Sequence, residues 1–125
     1  MRAGAASCGS PGGAACPGAR GEGAAAEALA GGQGTLATAK PLRTVGSFWP
    51  CATTLFDFVR RAMPFDAPQS LSGDATYAVS AYVLYRFGIL AADAVLDPST
   101  LPKVRMPNRD GFTADPRPDV PAPAR

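Results

Sequence analysis

The side chains of this chain that carry distinctive chemistry are sulfur ones: cysteines at 8, 16 and 51 and methionines at 1, 63 and 106. There is no histidine. That removes the commonest metal ligand, the commonest general base and every Ser-His or Cys-His nucleophile pair. The cysteine spacings match no zinc pattern of the CxxC type, and three cysteines leave at least one thiol free under any single disulfide. No glycine-rich loop has the lysine of a phosphate-binding loop or the spacing of a dinucleotide fingerprint. The composition therefore argues against a catalytic centre.

The rest of the chain must position any sulfur that acts. At 125 residues it makes one domain at most, and 14 Gly plus 13 Pro place much of it in loops. A net charge of +2 from 12 basic and 10 acidic residues is too small and scattered for a nucleic-acid footprint. No apolar run approaches the roughly 18 to 20 residues of a membrane span, and no secretory apolar core of about 7 to 15 residues opens the chain. The expectation is a chain without membrane span or visible signal peptide.

Residues 1 to 34 are mostly Gly and Ala and bury too little apolar area to offset the entropy of ordering them. Within them, AAAEALA (24–30) has good helix formers but too few for a stable helix. A first helix is expected from about Cys51 to Ala62, with Leu55, Phe58 and Val59 on one face and Pro64 as the stop. A second is expected from an N-cap at Ser72 to a left-handed C-cap at Gly88, with Asp74 in the first turn. Its broad apolar face is read as Ala78, Ala81, Tyr82, Leu84 and Tyr85. Beyond Gly88, Val95, Leu96 and Leu101 are available to pack back, and from Lys103 the Pro- and charge-rich sequence reads as an extended tail.

Several strings are far more specific than these patterns. GGQGTLATAKPLRTVGSFWP, RRAMPFDAPQSLS and MPNRDGF lie within a stretch from roughly Gly18 to Phe112 that resembles a class I cytochrome c, the cytochrome c subunit of bacterial sulfite or sulfane dehydrogenases of the sulfur-oxidation pathway. The resemblance implies an all-α fold: a small cytochrome c-like domain over 18–102, preceded by a loose or degraded segment 1–17 and followed by a tail 103–125. It implies an electron-transfer subunit, not itself the enzyme, that carries heme c in the periplasm. Its implied partners are a molybdenum-containing dehydrogenase subunit and a downstream cytochrome.

In such proteins two cysteines of a C-x-x-C-H stretch form thioethers to the haem, the histidine binds iron, and a distal methionine completes the coordination. Aligned on GAACPGARGEG (13–23), Cys16 takes the second cysteine position, Gly13 the first and Pro17 that of the histidine. Proline has no ligand atom, so the proximal ligand is missing and only one thioether can form. Met63, directly before Pro64, stands where the resembling cytochromes place their axial methionine. On the residues alone Met63 reads as a flexible core filler. Met106 is the competing methionine, its plainer reading a tail residue on the domain surface.

Trp49 and Tyr82 are the candidates to line a haem edge, against a plain core role. Lys40, Arg43, Arg60 and Arg61 are candidates for a partner-docking face, against solvated surface. Cys51, where the family tends to have an aromatic residue, reads as a small buried hydrophobe. Two readings follow: an electron-transfer subunit with a degraded haem-attachment motif, or a haem-free remnant acting at most as a binding module.

Overall fold

The computed structural model describes residues 30–117. The helix reading of 24–30 therefore falls almost wholly outside them, and Cys8, Gly13, Cys16 and Pro17 lie outside altogether. The described residues are helical, with α1 (Val45–Phe48), α2 (Ala52–Ala62), α3 (Gly73–Arg86) and a 3-10 turn at Leu101–Lys103. Among them there is no strand, only one antiparallel bridge between Cys51 and Arg105. The all-α expectation holds.

α1 and α3 begin where side chains satisfy their free amides, while α2 starts at Cys51 without a side-chain cap. Thr44 and Ser47 form a reciprocal box at α1: the Ser47 N–H donates to Thr44 Oγ1 at 3.2 Å and the Thr44 N–H to Ser47 Oγ at 2.8 Å. The sequence reading missed this one-turn helix, because serine stands where the usual Glu or Gln signal would be. Ser72 caps α3 by accepting from the Ala75 N–H at 3.1 Å. At the other end of α3, Gly88 takes φ +71. The Gly88 and Ile89 amides donate back to the Tyr85 and Leu84 carbonyls, both at 2.9 Å, which is a Schellman closure.

The core lies where α2 crosses α3. Ala52, Leu55 and Val59 face Leu84, and Leu96, Leu101, Val104 and Met106 close over them from the C-terminal segment. The rest of the buried α3 face is polar in type: Thr76 and Ser80 are fully buried. Their hydroxyls donate to the Ser72 and Thr76 carbonyls one turn back, each at 2.8 Å, so small side chains enter the core with no unmet donor.

This corrects the expected faces. Ala78, Tyr82 and Tyr85 are exposed, because the buried stripe of α3 runs through Thr76, Ser80 and Leu84 at i, i+4, i+8. On α2, Leu55 and Val59 are buried but Phe58 is exposed, stacked edge-to-face on Trp49 at 5.8 Å. Val95 is exposed while Leu96 and Leu101 are buried. Met106 is not a surface residue: at 1% exposure it is core, as is Val104. The bridge to Cys51 and the Asn108 Nδ2 bond to the Phe48 carbonyl, 2.7 Å, hold this segment against the helices.

The loop before α1 is held by hydroxyls. Thr44 Oγ1 donates to the Gly31 carbonyl and Ser47 Oγ to the Leu42 carbonyl, both at 2.7 Å, while Gln33 Nε2 reaches the Phe87 carbonyl at 3.0 Å. Gly32, at φ +81, lies against the Leu42 carbonyl, where any Cβ would collide.

Candidate functional site

α2 ends at Ala62 because the next residue precedes a proline, whose ring disfavours helical geometry at position 63. Met63 is thus the C-cap, with extended φ −118 and ψ 152, and a cis peptide joins it to Pro64. Its N–H donates to the Val59 carbonyl at 3.1 Å, which keeps it on the last helical turn. The side chain is half-buried and packs against the α2–α3 core. Two residues on, Phe65 is 90% exposed. This end of α2 therefore carries a polarizable thioether two residues before an exposed aromatic ring.

Trp49, the C-cap of α1, also packs on this core, as do Phe56 and Tyr77, whose rings lie 4.4 Å apart. Trp49 and Met63 thus share one apolar cluster. Tyr82 is not gathered with them. At about 100° per residue it stands roughly 200° round α3 from Ser80, and it is half exposed. Cys16, the remaining attachment cysteine of the sequence reading, lies outside the described residues.

Two surface depressions open elsewhere. One, of about 410 Å³, is lined by residues including Gln33, Phe87, Ile89 and Met106. The other, of about 380 Å³, lies among Asp57, Arg60, Arg61, Gln69 and Leu71. Neither includes Met63. Among the described residues there is also no cluster of three His, Cys, Asp or Glu able to hold a metal ion.

The basic residues read as a docking face are partly engaged. Arg61 Nε pairs with Asp57 Oδ1 at 2.7 Å, and this hydrogen bond and the charge of Asp57 raise the guanidinium pKa further. The Arg43 guanidinium lies 5.4 Å from the Phe48 ring centroid, a cation–π contact. Cys51 is half-buried and free, at the N-cap of α2 without a side-chain bond.

Met63 is a half-buried thioether packed on the apolar core, a residue type that could bind haem iron on one side, and neither depression reaches it. The opposite side lacks the histidine that would bind iron there, because the chain contains none. Sequence reasoning missed Met106 as core and Thr76 and Ser80 as the helix contact. The signal for the latter was present in the i, i+4 spacing of small hydroxyl residues ahead of Leu84.

No protein-family model matches the chain, and no curated protein matches it. A solved structure does: the crystal structure of the sulfane dehydrogenase SoxCD from Paracoccus pantotrophus. The chain is 42% identical to a chain of that structure, with a TM-score of 0.78, over 85% of this chain and 53% of that one. It therefore spans about half the length of the solved chain it matches.

Proposed function

We propose that this chain is a c-type cytochrome-like electron-transfer subunit that serves a sulfane or sulfite dehydrogenase, with haem attached through Cys16 alone and Met63 on its iron. The observation that carries this reading is the placement of Met63: a half-buried thioether at a helix end, on the same apolar cluster as Trp49 and next to the uncovered Phe65. The likeness to a chain of SoxCD supports the sulfur-compound context. In this reading a molybdenum-containing dehydrogenase subunit would be the electron donor, a downstream cytochrome the acceptor, and the periplasm the compartment.

Haem would supply a one-electron carrier whose potential depends on its axial ligand and burial. This chain's residues would do the rest. Met63 would present its sulfur from a position fixed by the Val59 carbonyl. Trp49 and the core beneath it would exclude water from one edge, and Cys16 would tether the group.

A second reading is favoured by a specific observation: with Pro17 at the histidine position and no histidine elsewhere, the chain supplies one iron ligand. In that reading the chain is a haem-free remnant that binds a partner at most. Expression with the cytochrome c maturation machinery, followed by denaturing electrophoresis and haem staining, separates the two. The first reading expects stain in the wild type and none in Cys16→Ala. A colourless wild type leaves the second.

A further inference from the structure

Among the described residues the outer face of α3 is unpartnered: it is apolar along its middle, charged at its ends, and complementary to itself when reversed. Around the helix it is formed by Asp74, Ala75, Ala78, Tyr82, Tyr85 and Arg86, opposite the buried Thr76–Ser80–Leu84 stripe at about 100° per residue. Tyr82 and Tyr85 are 50% and 45% exposed. Among the described residues, neither Asp74 nor Arg86 meets an opposite charge.

Position 80 lies near the middle of α3. Reflected about it, Asp74 falls on Arg86, Ala75 on Tyr85, and Ala78 on Tyr82. Each pair is complementary: acid with base, and small with large twice. From these pairings we infer that the outer face of α3 binds a second copy of this chain, antiparallel, about a two-fold axis near residue 80.

The arrangement fits an isologous contact, in which one patch meets itself and every pairing occurs twice. Antiparallel packing sets Asp74 at the N-terminus of one helix against Arg86 at the C-terminus of the other, about 18 Å from the equivalent pair at 1.5 Å per residue. Each tyrosine ring then lies over an alanine, where no side chain competes for the space, and an aromatic contact with a polar tip suits an interface of this kind. A different protein would match the apolar surface equally well. It would give no reason for charge and size to be mirrored about one residue. This inference does not depend on haem.

Sedimentation of the full-length chain tests it, with helix content followed by circular dichroism on the same samples. At roughly 100 µM the wild type is expected to be dimeric, with association weakening as salt rises, because the end pairs are exposed. Asp74→Arg sets like charges against each other at both ends and is expected to weaken association about tenfold, as is Arg86→Asp. The double variant restores opposite charges and is expected to recover the wild-type constant to within about threefold. Both substitutions oppose the dipole of α3, so fold damage would accumulate in the double variant, whereas association recovers only there. Tyr82→Glu, which buries a charge without a partner, is expected to give a folded monomer. A monomeric wild type, a dimer indifferent to the single changes, or no recovery in the double variant would overturn the inference.

Discussion

Gly46 sits in the single turn of α1 with its Cα directly against Phe87. A Cβ built there would lie 2.9 Å from Phe87 Cγ and 3.0 Å from its Cβ. The ring is buried at the end of α3 and has little room to give, so Gly46→Ala should cost about 1–3 kcal/mol by overpacking. Urea unfolding followed by circular dichroism measures this, and an unchanged midpoint would show that α1 can lift from Phe87 at no cost.

Asp97 is a second residue whose role is local. Its Oδ1 accepts from Ser99 Oγ, the Thr100 N–H and the Ser99 N–H at 2.7, 2.8 and 2.7 Å. These bonds, the Ser99 hydroxyl first, lower its pKa from 3.8 to about 2. Because the folded value lies below the ordinary one, the stabilising contribution is complete above about 3.8 and is lost as the pH falls through about 2. The turn places Leu96 and Leu101 in the core, so the protection of the Ser99 and Thr100 amides, as exchange relative to the intrinsic rate at each pH, should fall over that window. Asp97→Asn should remove the pH dependence, and equal acid sensitivity in that variant would assign it to another group.

At the scale of the element, α3 is where helix ends and helix faces part company. Its ends were legible because the signals are local: a serine before the first turn and a glycine after the last. Ser72→Ala should cost about 1 kcal/mol through the lost cap. Gly88→Ala should also cost about 1–2 kcal/mol, wholly from its left-handed backbone, since no atom lies within 4 Å of the added carbon. Thermal unfolding of the two variants checks both figures. A Gly88→Ala variant as stable as the wild type would remove the Schellman closure from the account.

The faces were not legible in the same way. Tyr82 and Tyr85 look like core by type, and Thr76 and Ser80 look like surface. Which stripe goes inside is decided by α2, whose Ala52, Leu55 and Val59 approach closely only over small residues. A hydroxyl that returns its proton to the carbonyl one turn back carries no hydrogen-bond cost when buried, and apolar periodicity does not register that.

At the scale of the whole molecule, the described residues bury nine apolar side chains and leave seven large ones exposed, Phe65 among them. No buried side-chain polar atom among them lacks a partner. The polar interior of the described residues is therefore complete, while several large apolar side chains remain at the surface. Of these side chains, Phe65 lies two residues from Met63, the proposed haem ligand, and Tyr82 and Tyr85 lie on the α3 face proposed to meet a second copy.

The site was only half legible in the sequence. Met63 is the candidate ligand that the resemblance at RRAMPF implies, and its place at the end of α2 follows from Pro64. Trp49 falls on the same cluster, but the position of Tyr82 depends on which way α3 faces, and that is a property of the packed pair of helices. Met106 was misjudged for a related reason: a Pro- and charge-rich segment reads as tail, yet Val104 and Met106 enter the core once Cys51 and Phe48 supply backbone partners.

The most direct test of the central claim is the absorption spectrum of oxidised, haem-loaded protein, compared between the wild type and Met63→Ala at equal covalent haem content. The account predicts a sulfur-to-iron charge-transfer band in the wild type that is absent from the variant. A band of undiminished strength in Met63→Ala, or a wild type with no haem to measure, would contradict it.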